Sequence, residues 1–99
     1  RKKHGFPIAC FGHAGDGNIH VNIMLDKNDA EEAGKAKEAV DSIINLTIGL
    51  GGTISGEHGI GMTKRTYAGL ELHPVAVEVM KKIKGVLDPN GILNPGKIF

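Results

Sequence analysis

The sequence predicts an α+β fold: an antiparallel β-hairpin, part of a larger antiparallel sheet, packed with two helices in the order β-β-α-loop-α-tail. Three observations predict it. Pro7 to Leu25 alternates apolar and polar residues around Asp16-Gly17. The stretch DKNDAEEAGKAKEAVDSIINLTIGLGG repeats apolar residues at three- and four-residue steps. So does HPVAVEVMKKIKGVLDP. No internal repeat or low-complexity linker divides the chain, so residues 1–99 read as a single piece of one domain.

Asp16-Gly17 signals a two-residue hairpin loop, because a type I′ turn needs positive φ at both positions. That loop, or a four-residue loop from Gly15 to Asn18, sets His13 opposite His20, Phe11 opposite Asn22 and Ala9 opposite Met24. Opposed residues point to the same face with Cβ atoms about 4.5–5.5 Å apart. One face then carries His13, His20 and Asn22. The other receives Ile8, Cys10, Ala14, Ile19, Val21, Ile23 and Leu25 and enters the core. Two strands make a poor sheet alone. Further strands are expected upstream of residue 1 or from a second copy of the chain, through the exposed sheet edge.

The first helix is capped by Asn28 or Asp29, and Glu31 and Glu32 in its first turn favour the positive end of the helix dipole. Ala33, Ala36, Val40, Ile43, Thr47 and Leu50 form its buried stripe, and Gly51-Gly52 stops it. A glycine-broken extended piece, TISGEHGIGMTKR, follows. Pro74, preceded by Leu72 and His73, suits the first turn of the second helix. Val75, Val79, Ile83 and Val86 form its stripe, widened by Ala76, Met80 and Leu87, and Pro89 ends it. Asp88-Pro89-Asn90-Gly91 is a turn. ILNPGKIF is irregular or a short edge strand.

The composition excludes several classes. The chain has 99 residues, 40% hydrophobic and 23% charged, with a formal net charge of +1. Arg1-Lys2-Lys3 is too short and too terminal for a nucleic-acid surface and reads as a solvated terminus. The lone Cys10 cannot close an intrachain disulfide and reads as a buried thiol in a reducing compartment. No apolar run reaches the roughly 20 residues of a membrane span, and no signal-peptide pattern is present. A cytoplasmic location is expected, with the full-length protein peripheral to a membrane. The chain starts without an initiator methionine and reads as a fragment.

Two paired histidines suit either a solvated polar face or a metal. A second element, SGEHGIG from Ser55 to Gly61, sets Glu57 and His58 side by side between glycines. Gly56 to Thr63 has the glycine separation of a phosphate loop. Met62 stands where that loop needs lysine, and Glu57 would repel phosphate, so this reading is rejected. Glu57-His58 alone suits a loop salt bridge or a cap. If the loop folds over the polar face of the hairpin, Glu57 is a third ligand, leaving coordination positions open as a catalytic metal requires.

GHAGDGNIHVN, SGEHGIG and DPNGILNPGK together resemble the C-terminal cap domain of the FAD-linked 2-hydroxy-acid oxidoreductases. That group includes the glycolate oxidase large subunit, D-lactate dehydrogenases and D-2-hydroxyglutarate dehydrogenase. The resemblance covers essentially the whole chain. It implies that His13, His20 and Glu57 bind a divalent metal, zinc or manganese, that Asn22 touches the substrate and that His58 is the catalytic base. It also implies that Asn94, in Asn94-Pro95-Gly96, returns toward FAD, although a Pro-Gly turn explains those residues equally well.

The implied reaction oxidises a small D-2-hydroxy acid to a 2-oxo acid. The metal would hold the substrate oxygens, His58 would take the hydroxyl proton, and the flavin would receive the C2 hydride. The implied partners are the substrate, an upstream FAD-binding domain that holds most of the cofactor, and an electron-acceptor subunit. The 99-residue piece alone is expected neither to bind FAD tightly nor to turn over. Two other readings compete: a stand-alone metal-binding or interaction module without catalysis, and a metal-dependent hydrolase in which His58 activates water. The hydrolase reading lacks a Ser or Cys nucleophile constellation.

Overall fold

A computed structural model of the chain describes residues 4–26 and 28–99. The basic terminus Arg1-Lys2-Lys3, read above as solvated, lies outside the described residues, as does Lys27. The described chain divides into two compact units, Arg1–Leu50 and Gly51–Phe99.

The first unit contains strands β1 (Ile8–His13) and β2 (Asn18–Ile23), followed by helix α1 (Ala30–Gly49). The strands pair antiparallel as expected, but in a different register. His13 lies opposite Asn18, Phe11 opposite His20 and Ala9 opposite Asn22. The turn explains the shift. Ala14–Asp16 forms a 3₁₀ turn, and only Gly17 takes a left-handed backbone, at φ 65° and ψ 16°. A type I′ loop would force Asp16 into that region too, where a side chain is penalised. The loop therefore occupies four residues, Ala14 to Gly17, closed by Gly17 N–H donating to Ala14 O at 3.4 Å. Each partner moves by two residues, so every side chain keeps its face.

Gly12 has a steric reason. A Cβ there would stand 2.0 Å from the carbonyl oxygen of Asn18 on the facing strand. No side chain fits without moving β2.

The core of this unit is Phe6, Ala36 and Ala39, with Ile8, Ile23 and Leu25 packed against it. Two alanines on α1 let the helix approach the open end of the hairpin closely. The apolar hairpin face is therefore only partly covered. Cys10 is exposed rather than buried, and Ile19 is 68% exposed. The cause is position: the core cluster reaches the base of the hairpin, not its tip.

Helix α1 is capped by Asp29, whose carboxylate accepts the N–H groups of Glu31 at 2.8 Å and Glu32 at 3.1 Å. Such a cap contributes about 1 kcal/mol. Gly51 ends the helix in a left-handed conformation at φ 78°. The buried positions are Ala36, Ala39 and Ile44. Ala33, Val40 and Leu50, expected in the stripe, are exposed. The covered face follows Phe6, a residue outside any periodic pattern that draws Ala36 and Ala39 inward.

The second unit runs through an irregular loop into a 3₁₀ turn at Arg65–Tyr67, helix α2 (Ala68–Glu71) and helix α3 (Pro74–Leu87). The 3₁₀ turn and α2 are additions to the expected order. TISGEHGIGMTKR contains no extended strand, and the tail is irregular. His73 caps α3, its Nδ1 accepting Val75 N–H at 3.3 Å, with Pro74 in the first turn. Val75, Val79, Ile83 and Val86 are all 49–81% exposed. At about 3.6 residues per turn, the partly covered Val77, Met80 and Lys84 lie on roughly the opposite side of the helix. No helix among the described residues is long and apolar enough to cross a membrane.

Asp88 closes α3. Its buried carboxylate accepts Ile92 N–H and Leu93 N–H, both at 2.9 Å, and pairs with Lys84 Nζ. Lys84 also donates to Leu93 O at 2.6 Å. The Lys84 hydrogen bond, helped by those two amides and opposed by desolvation, holds the Asp88 carboxyl below the ordinary carboxylate value.

Two expectations follow from this packing. Gly12→Ala should destabilise the protein by about 1–3 kcal/mol, the range for overpacking, read from urea unfolding monitored by circular dichroism. Because the folded pKa of Asp88 is depressed, its contribution is present above the unfolded value of about 3.9 and is lost as pH falls through the folded value. Asp88→Asn should accordingly lower stability at neutral pH and flatten the acid limb of a stability–pH curve.

Candidate functional site

The polar face of the hairpin carries His13, His20 and Asn22, as their shared parity requires. His20 is half-buried, while His13 and Asn22 are exposed. The observed register makes His13 a diagonal rather than a direct neighbour of His20. Their ring centroids lie 6.2 Å apart, with planes at 74°. Diagonal pairs remain within reach of long and aromatic side chains. Two imidazoles at this spacing can converge on one ion about 2.0–2.1 Å from a nitrogen of each. Asn22 stands two residues beyond His20, opposite the small Ala9.

The direct partner of His20 is Phe11. Their rings stack at 5.1 Å and 25°. Phe11 thus restrains the His20 ring, a role absent from the sequence reading, which set Phe11 opposite Asn22. Its odd-numbered place beside His13 was the available signal. The assumed turn concealed it.

In the second unit, the segment from Ser55 to Gly61 presents Glu57 and His58. Ser55 Oγ donates to Gly59 O at 3.0 Å, closing the loop below the pair. Gly59 and Gly61 take left-handed backbone at φ 74° and 53°, which glycine permits without steric cost. His58 Nε2 lies 3.7 Å from Glu57 Oε1. Their side chains are 74% and 44% exposed respectively, so both reach solvent. An imidazole beside a carboxylate is a competent proton acceptor and donor pair.

Asn94 is exposed and has left-handed backbone at φ 48°. Asparagine is among the few residues that tolerate this conformation, so the turn itself accounts for its identity. Arg65 Nη1 donates to Gly96 O at 3.4 Å, holding that turn.

The stack has a direct test. Phe11→Leu should weaken the hairpin by about 0.5–1.5 kcal/mol and remove the ring-current shift on the His20 ring protons, read by proton NMR. Unchanged His20 shifts would rule out the stacked arrangement.

The description "FAD linked oxidases, C-terminal domain" belongs to a family whose sequence model matches residues 1–98. The chain is 48% identical over 96 residues to a D-2-hydroxyglutarate dehydrogenase of Stutzerimonas stutzeri, covering 95% of this chain and 21% of that protein. It is 42% identical over 97 residues to the glycolate oxidase subunit GlcD of Bacillus subtilis, covering 98% and 21%. A probable mitochondrial D-lactate dehydrogenase of Danio rerio is 45% identical over 93 residues, covering 94% and 18%. The chain thus spans about a fifth of the length of these curated relatives. With the match running over nearly every residue, the chain belongs to the C-terminal domain family of the FAD-linked oxidases.

Proposed function

We propose that this chain is the C-terminal part of an FAD-dependent oxidoreductase that converts a D-2-hydroxy acid of the glycolate, D-lactate or D-2-hydroxyglutarate type to a 2-oxo acid. In this reading His13, His20 and Glu57 hold a divalent metal, zinc or manganese. The observation that carries it is the convergence of two imidazoles on one hairpin face, in a chain of this family. Two imidazoles and a carboxylate are a donor set that suits such ions.

A divalent ion supplies Lewis acidity toward the substrate hydroxyl and carboxylate, and FAD supplies the hydride acceptor. The chain's own residues do the rest. His58 takes the hydroxyl proton. The Asn22 amide donates a hydrogen bond to the substrate and orients it. Asn94 contributes to the flavin side of the site.

An upstream domain holds most of the FAD, and an electron-acceptor subunit reoxidises it. The outer edges of the β1–β2 sheet, whose only pairing among the described residues is with each other, are where further strands or a second copy join. The setting is cytoplasmic, peripheral to a membrane.

Elemental analysis and steady-state assay of the intact flavoprotein test this reading. The wild type should carry about one divalent ion per chain. His13→Ala and Glu57→Ala should each lose it. His58→Ala should keep the ion and FAD while turnover drops about 10²–10⁴-fold, the contribution of a general base. Unchanged metal content in the first two variants would overturn the ligand assignment, and retained turnover in the third would remove His58 as the base.

A further inference from the structure

The loop bearing Glu57 and His58 is joined at both ends by one residue. Lys64 Nζ donates to Ile54 O at 2.8 Å, just before the loop. The backbone N–H of the same residue donates to Ile60 O at 3.2 Å, near the loop's far end. Glu71, at the end of α2, grips the other side of the entry. Its Oε2 accepts Ile54 N–H at 2.8 Å, and its Oε1 accepts the Thr53 hydroxyl at 2.7 Å. The N–H and C=O of Ile54, a residue only 4% exposed, are thus both held by charged side chains. Such charge-assisted bonds are roughly twice as strong as neutral ones. On the exit side, Ile98 N–H donates to Gly61 O at 3.0 Å.

Glycine-flanked loops have many accessible conformations, and ordering one costs about 1–2 kcal/mol per residue in backbone entropy. Within the loop, Ser55 Oγ bonds Gly59 O, and His58 lies beside Glu57. The Lys64 and Glu71 bonds restrain the entry to the loop from outside it and reduce this freedom. We propose that Lys64 and Glu71 are positioning residues, a clasp that fixes the path of the Glu57–His58 loop and so the direction in which both side chains are presented. Neither is proposed to touch substrate. This inference rests on the functional reading above, which gives Glu57 and His58 their roles.

The test uses the intact flavoprotein with glycolate, D-lactate and D-2-hydroxyglutarate as probes. Lys64→Met removes the donor at similar length, and Lys64→Arg restores one. With Lys64→Met, kcat per bound flavin should fall about 10- to 100-fold, the scale of a misplacement near 1 Å, while KM moves less than about threefold. Lys64→Arg should recover most of the loss. Thr53→Val, which leaves Glu71 one donor short, is the milder second variant if Lys64→Met fails to fold, with a fall of about three- to tenfold expected. A purely structural role would lower Tm and yield but leave kcat per bound flavin intact, and that result overturns the proposal.

Hydrogen exchange separates this proposal from the functional reading. Amides of residues 55–61 should exchange faster in Lys64→Met than in wild type. If the wild type oxidises none of the three acids, the functional reading fails. Faster loop exchange in Lys64→Met would still support the clasp, and unchanged exchange would overturn it.

Discussion

The hairpin turn is the constraint on which the first unit depends. Gly17 alone accepts a left-handed backbone, so Asp16 remains in the 3₁₀ turn and the loop closes over four residues. That choice sets the register of every pair in the sheet. It places Phe11 against His20 and makes His13 their diagonal neighbour. Gly12 reinforces the same register, because the facing strand comes too close there for any Cβ. Two glycines, each with a separate reason, thus determine how two imidazoles share a face.

Both units hold their candidate site residues on segments whose conformation is restrained by neighbouring side chains. In the hairpin, an aromatic ring stacks on one of the two histidines. In the second unit, charged side chains hold the entry to a glycine-flanked loop, and a backbone bond holds its exit. Buried Asp88 does comparable work for the tail, gathering two backbone amides and Lys84 around one carboxylate. A chain with few large core residues gains definition from such local polar networks, whose members are largely satisfied.

Much of this was legible from local patterns. The two strands, α1 and α3 follow from period and capping, and Asp29 and Pro74 stand where helix starts require them. The grouping of His13, His20 and Asn22 on one face is common to both registers, because they differ by two residues, an even number. The partner of His20 differs between them, His13 in the expected register and Phe11 in the observed one. The apolar stripes were correct as patterns but poor guides to burial. Val40 on α1 and Leu50 just past its end are exposed, and so is the whole Val75–Val79–Ile83–Val86 stripe of α3.

By itself, the sequence determined which residues could be strand, helix or turn, and which side chains share a hairpin face. Those properties depend on neighbours a few positions away, through steric limits on φ and ψ and the periods of 2 and 3.6. Only the tertiary structure decided the pairing register, the burial of Phe6 against Ala36 and Ala39, and the clasp of Lys64 and Glu71 on Ile54. The last two join residues far apart in sequence that no local pattern relates, and the register turned on which of two compatible turns closed the hairpin. Their energies come from close packing and from satisfying backbone groups, which exist only once the chain has folded.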